Sequence, residues 1–365
     1  MSEEWENWLE KTEKKDSKKE RRILSKNDRS RFKKTDKHKF EKSDSLHENI
    51  KIDPSLLQRG RVIAIPSQGV TVDVNGELIT CQLRGLLKRD MSQDKNLLVV
   101  GDYVLFEALP GQEGFIHHVE SRTSVLSRQD NLSRKKQQLI AANIDKVMIT
   151  LSVVLPALKP FIVDRYIIAS RKGNMEPIVV INKIDLLPGH PDEEALSDEL
   201  VKGLKQSGIK VFAVSSETGQ GMEELLGEMK GCSSVFSGQS GVGKSSLINK
   251  VLGLDLKVGK ATEKTMKGAH TTSLAKLIPI PTGGFCIDTP GIRSFGVWNL
   301  SLDEIRSYFP EIDALKHKCE FPDCTHTHET DCAVLKAVKK GKISALRYES
   351  YVYLLNSMDD KHARR

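Results

Sequence analysis

Residues 238–245 read GQSGVGKS, entered from the apolar run SSVF and left by a helical pattern. Glycines at this spacing let backbone N–H groups wrap phosphates while a lysine, here Lys244, reaches the outer ones. Gly238, Gln239, Ser240, Gly241, Val242, Gly243, Lys244, Ser245 and Ser246 are therefore the candidate phosphate contacts. The Ser245 hydroxyl is also a candidate Mg²⁺ ligand. A second motif, NKID at 182–185, follows another apolar run. A carboxylate at Asp185 can accept from both N1–H and the exocyclic amine of guanine, whereas adenine presents an acceptor at N1, so the wrong base leaves a buried polar group unpaired. Asn182, Lys183 and Ile184 belong to the same stretch, and Ser215 and Ser216 end the next strand-like run, VFAVSS, where they could hold the base edge.

Further along, KGAHTTS offers Thr271 or Thr272 to complete a Mg²⁺ shell, and DTPG offers Asp288 for the ion and the Gly291 N–H for a terminal phosphate. Together the motifs describe a guanine-nucleotide site with Mg²⁺ as cofactor. Their order is unusual. The base-reading motifs come before the phosphate loop, so the domain is circularly permuted, a rearrangement that moves only chain ends and preserves the site. The residue after DTPG is Ile292, which cannot orient an attacking water.

Cys319, Cys324, His326 and Cys332 are separated by four, one and five residues. Three thiolates and an imidazole in so short a span suit a closed, structural Zn²⁺ site. His317 and His328 compete for the imidazole position.

These groups need elements to hold them. Alternating segments RVIAI, VTVDV, ELITCQL, YVLFEAL and GFIHHVE, separated by SQG, NG and GQEG turns, predict about five antiparallel strands in a small closed barrel of the OB type, a frequent nucleic-acid binder. KVMITLSV, PIVVINKIDLL, VFAVSS, SSVFSG and GFCIDTPG alternate with helical patterns, which predicts a mainly parallel sheet with its chemistry on one edge. After the cysteines, two amphipathic helices meet near Gly341. The expected multidomain α/β chain thus divides into a charged, disordered extension at 1–50, an RNA-binding barrel at 51–125, a permuted P-loop GTPase domain at 126–298 and a helical zinc-binding domain at 299–365.

Composition limits the setting. Lys and Arg total 56 against 49 Asp and Glu, a formal charge of +7 that favours polyanionic partners. Six cysteines in 365 residues are too few for a disulfide scaffold. No apolar run is long enough for a bilayer and the first residues lack a secretory core, so a cytoplasmic protein without a membrane partner is expected; a monomer is the separate expectation for its assembly.

The permuted order, the preceding barrel and the following Cys-Cys-His-Cys set together resemble the ribosome small-subunit-dependent GTPase A family of bacteria. The likeness runs from RGRVIAI through VGDYV, NKID, GQSGVGKSSLIN, HTT, IDTPGIRSFG and the cysteine spacing to RYESY. It implies hydrolysis of GTP to GDP and phosphate during late maturation of the small ribosomal subunit, stimulation by that particle, and release on hydrolysis. It also implies that the barrel and zinc domain rest on ribosomal RNA. Within the HTT segment it points to His270 as the residue that positions water, with ribosomal contacts as the alternative; Lys244 and His270 are the candidate catalytic residues. A reading from another class is an RNA-binding assembly factor in which GTP is a conformational ligand and hydrolysis is incidental. Particle release with GTP against a non-hydrolysable analogue separates the two.

Overall fold

The computed structural model describes residues 57–84, 97–129, 137–253, 275–288 and 301–362. His270, Thr271, Thr272, Gly291, Ile292 and the charged extension lie outside the described residues.

Five short strands, β1 (Leu57–Ala64), β2 (Val70–Val74), β3 (Glu77–Leu83), β4 (Tyr103–Leu109) and β5 (Glu113–Val119), close into a barrel in the order β1-β2-β3-β5-β4. Their alternation puts Val62, Val72, Ile79, Cys81, Val104, Phe106 and Ile116 inside. One sequence expectation is corrected. The β3–β5 pair is parallel, whereas all the other barrel pairs are antiparallel. A ring with an odd number of strands cannot alternate direction all the way round, so closure itself forces one parallel pair.

A hairpin, β6 (Val125–Gln129) and β7 (Gln137–Ala142), follows and was not legible as strands. The large sheet then has the order β10-β9-β8-β11-β13-β12. It comprises β8 (Lys146–Ser152), β9 (Glu176–Asn182), β10 (Lys210–Ala213), β11 (Ser233–Gly238), β12 (Lys276–Pro279) and β13 (Phe285–Asp288). All neighbours are parallel except the edge strand β12, which runs antiparallel to β13. Parallel strands covered on both faces must be apolar almost throughout, and β8 and β9 are buried at every position but the first.

The two faces divide by strand parity. Val147, Ile149, Val179, Ile181, Val235 and Ile287 pack with helices α1 (Pro160–Lys172) and α2 (Pro191–Gln206). Met148, Ile178, Val180, Phe236 and Cys286 pack with α3 (Met222–Met229) and α4 (Lys244–Val251) on the other side. The C-terminal module contains α5 (Leu302–Ser307), α6 (Pro310–Asp313), α7 (Ala333–Lys339) and α8 (Ala345–His362). Ser301 and Glu304 form a reciprocal capping box at the start of α5. Phe309 and Tyr351, both fully buried, meet edge-on at 5.4 Å in the module's core, and α8 packs against α1 and α2. Among the described residues no helix is long and apolar enough to cross a membrane.

Candidate nucleotide site and metal centre

Strand β11 ends at Gly238, where the chain turns into the 238–245 loop and then α4. Two of its glycines are dictated by close approach. A Cβ on Gly238 would lie 2.2 Å from the Thr150 carbonyl oxygen, and one on Gly243 (φ +93°) would lie 2.3 Å from Asn182 Nδ2. The loop is thus fitted against the ends of β8 and β9. Helix α4 begins at Lys244, so unpaired N–H groups of its first turn supply positive potential there. Lys244 Nζ donates to the carbonyls of Gly238 at 2.8 Å and Gln239 at 2.6 Å. Gln239 and Ser246 are half-buried, Ser240, Gly241 and Ser245 exposed, and Val242 buried.

The candidate base-reading residues reach the same place from a different part of the chain. Asn182, fully buried at the end of β9, donates from Nδ2 to the Val242 carbonyl at 2.9 Å and accepts at Oδ1 from the Ser216 N–H at 3.1 Å. Lys183 adopts a left-handed conformation (φ +66°), and its ammonium donates to the carbonyls of Gly241 at 2.7 Å and Leu155 at 2.5 Å. The Ile184 N–H donates to the Val214 carbonyl at 3.3 Å. Ser215 donates its hydroxyl to Asp185 Oδ1 at 2.5 Å and accepts from the Thr218 N–H at 3.1 Å. The half-buried Asp185 carboxylate is held in place while retaining Oδ2 and spare lone pairs for a ligand.

Asp288 ends β13, whose parallel pairing with β11 puts both C-terminal ends on one sheet edge. All sequence-predicted nucleotide residues within the described segments therefore gather at that edge. Sequence reasoning missed the Leu155 and Thr150 carbonyls, which shape the loop through backbone atoms that carry no residue signature.

At the other candidate site, the ligand atoms of Cys319, Cys324, His326 and Cys332 all lie within 4.8 Å of one another. Cys319 Sγ is 3.9 Å from Cys332 Sγ, and each is 3.5 Å from His326 Nδ1. A tetrahedron built on Zn–S bonds of about 2.3 Å and a Zn–N bond of about 2.0 Å has S···S edges of about 3.8 Å and N···S edges of about 3.5 Å, so the donor set fits zinc in chemistry and its Cys319, His326 and Cys332 edges fit in spacing. Burial pushes the Cys324 thiol up to about 12; a cation among the sulfurs is what would stabilise thiolates there. His328 turns instead to the Thr327 hydroxyl, at 2.8 Å, and His317 is not in the group.

A family model described as the RsgA GTPase matches residues 119–298. The small ribosomal subunit biogenesis GTPase RsgA 1 of Vibrio parahaemolyticus is 37% identical over 326 residues, covering 87% of this chain and 90% of that protein. The small ribosomal subunit biogenesis GTPase RsgA of Chlorobaculum parvum is 40% identical over 278 residues, covering 74% and 88%. Among solved structures, YjeQ from Thermotoga maritima matches with a TM-score of 0.67 at 31% identity, over 83% of this chain and 98% of that one. YloQ, described as a circularly permuted GTPase, matches with a TM-score of 0.66 at 27% identity, over 84% and 96%. Extended similarity to these relatives, added to the permuted motif order and the shared edge where the motifs meet, makes this chain a member of the RsgA family of GTP-hydrolysing enzymes.

Proposed function

We propose that the chain binds GTP at the sheet edge, hydrolyses it to GDP and phosphate, and acts in late maturation of the small ribosomal subunit in the cytoplasm, as a monomer stimulated by that particle and released by hydrolysis. The observation that supports the nucleotide reading is the pair of hydrogen bonds made by the Asn182 side chain, one donated to the Val242 carbonyl and one accepted from the Ser216 N–H. It joins the base-reading and phosphate-loop segments into one site although the permutation has exchanged their order.

In this reading Asp185 takes the guanine N1–H and amine while Ser215 fixes its orientation, with Asn182, Lys183, Ile184 and Ser216 completing the base side. The loop from Gly238 to Ser246 carries the phosphates, and Lys244 exchanges its two loop carbonyls for phosphate oxygens. Mg²⁺ supplies charge neutralisation on the phosphates; Ser245, Asp288 and one of Thr271 and Thr272 would hold it. Gly291 contacts the terminal phosphate and His270 orients the water. The zinc centre is structural, and the barrel and C-terminal module rest on ribosomal RNA.

GTP turnover measured with and without purified small subunits tests the enzyme and its partner together. Stimulation by the particle is expected, and equal rates would remove the ribosome as activator. Asp185→Asn should weaken GTP binding and favour xanthosine triphosphate, whose carbonyl complements the new amide. Unchanged GTP affinity in that variant would take Asp185 out of the base site.

A further inference from the structure

The metal centre contains an observation that the four ligands alone do not explain. His326 is fully buried and has φ +63°, a left-handed conformation that a non-glycine residue keeps only when its surroundings impose it. Its two ring nitrogens are not equivalent. Nδ1 lies 3.5 Å from both Cys319 and Cys332 Sγ, whereas Nε2 is buried with no hydrogen-bond partner. Of the two, Nδ1 is the nitrogen that faces the Cys319 and Cys332 sulfurs.

The surroundings that impose this geometry can be named. Both oxygens of Glu329 are taken up by the loop around His326. Oε1 accepts from the Thr325 N–H and the Thr325 hydroxyl, each at 2.6 Å, and Oε2 accepts from the N–H groups of Thr327 at 2.9 Å and His328 at 3.2 Å. From the opposite side, two hydroxyls on α8 hold the loop carbonyls. Tyr351 donates to the Thr325 carbonyl at 3.1 Å and Tyr348 to the His326 carbonyl at 2.9 Å. Glu329 does not belong to the ligand group, and its oxygens are engaged with donors rather than aimed at the sulfurs.

We propose that Glu329 is the positioning residue of the metal centre, and that with Tyr348 and Tyr351 it sets His326 to ligate through Nδ1. The inference rests on the zinc reading of the cysteine cluster. An ion that arrives at such a site finds the imidazole already turned, so part of the ordering cost is met by the apoprotein fold. Glu329→Gln keeps the shape but replaces one acceptor oxygen with an amide that faces N–H donors, so it should lose metal affinity by the 10–100-fold that is typical of outer-shell changes.

The test uses the full chain. Zinc affinity is measured by competition with a chromophoric chelator for the native protein, Glu329→Gln and Asp331→Asn. Asp331 supplies the control because it loses the same charge in the same module, yet its exposed carboxylate pairs with exposed Lys336, at 2.7 Å. A 10-fold or greater loss in Glu329→Gln with Asp331→Asn within twofold of native supports the proposal; equal affinities in the two variants overturn it. Long-range ¹⁵N correlation of His326 in the zinc-loaded native protein provides a readout that needs no variant. A metal shift on Nδ1 with a protonated Nε2 is expected, and the reverse pattern overturns the assignment. If Glu329→Gln yields no soluble protein, Tyr348→Phe takes its place and should lose affinity severalfold; native affinity there counts against the positioning set. Native protein that binds no stoichiometric zinc would remove the zinc reading and the inference with it, an outcome distinct from a native site indifferent to Glu329.

Discussion

The sheet carries one module at each of two seams, and each seam contains a buried arginine, but the two are built differently. At the barrel seam Arg61 of β1 is 8% exposed and reaches neutral acceptors. It donates from Nη1 to Ser233 Oγ and from Nη2 to the Asn143 carbonyl, both at 2.7 Å, between the rings of Tyr103 and Phe285. A backbone bond accompanies it, from the Ala142 N–H to the Val100 carbonyl at 2.9 Å, and the Asn143 side-chain amide donates from Nδ2 to the Gly101 carbonyl at 3.0 Å. At the C-terminal seam Arg347 of α8 is 2% exposed. It pairs with Asp164 of α1 through a short contact and with Glu311 of α6 at 2.8 Å, over the ring of Phe309. Burial lowers the Arg347 guanidinium to about 10, so it stays charged at neutral pH. The barrel is joined by main chain with a cation added, while the C-terminal module adds a buried ion pair to the apolar contacts of Ile168 and of Phe161 against Tyr353.

The sequence runs directly from the DTPG motif toward the cysteines, which suggests that the phosphate end would drive the C-terminal module. Among the described residues that module docks on α1 and α2, which lie in sequence on either side of the NKID segment. Residues 289–300 lie outside the described residues.

The largest expected effect breaks the charged seam. Arg347→Met keeps the volume but leaves Asp164, 3% exposed, as an uncompensated buried carboxylate. Removing one partner of a buried pair costs about 3–5 kcal/mol. Urea unfolding should show that loss, and adding Asp164→Asn to the same chain should restore most of it. A double variant no better than the single one would mean that the guanidinium works through Glu311 or by packing on Phe309 rather than through Asp164.

The same substitution at the barrel seam should do less. Arg61→Met leaves the Ser233 hydroxyl and the Asn143 carbonyl without their donor, a loss of about 1–3 kcal/mol. The Ala142–Val100 backbone bond and the Asn143 amide bond across that seam remain. If Arg61→Met proves as costly as Arg347→Met under the same urea assay, the distinction between a main-chain seam and an ionic seam fails.

The seams also mark where sequence reasoning ends. VTVDV and ELITCQL reveal a barrel because burial alternates along a strand, and GQSGVGKS, NKID and DTPG reveal a site because function requires fixed local spacing. Neither signal exists for Arg61, which reads as an ordinary charge in RGRVIAI. Arg347 and Asp164 are 183 positions apart, and no local periodicity announces a partner at that range. Glu329 reads as loop charge in THETD until its carboxylate is seen to take four donors. The parallel β3–β5 pair follows from closure, a property of the whole ring rather than of either strand.

The smallest effect concerns how the two modules respond to acid. In the barrel, His117 has a side chain 9% exposed between Glu107, 3.2 Å from Nε2, and Arg84, 3.2 Å from Nδ1. Burial first, and then the Arg84 charge, hold the imidazole below its ordinary value of 6.5 against the opposing Glu107 bond. A histidine depressed in the folded state binds fewer protons there than in the unfolded chain, so stability rises with pH in that window and is lost as pH falls below about 6.5. In the C-terminal module burial raises Glu329, but the Thr325 hydroxyl and the loop N–H groups outweigh it and bring the carboxyl down to about 2. Its contribution is present above the ordinary carboxylate range and fades only as pH falls toward that value. Hydrogen exchange between pH 7 and 5, with zinc in excess, should therefore show β4 and β5 losing protection while the Thr325–His328 turn keeps it, and His117→Gln should flatten the barrel's response. Equal acid sensitivity in the two modules, or an unchanged slope in His117→Gln, would show that this histidine does not set the barrel's acid limit.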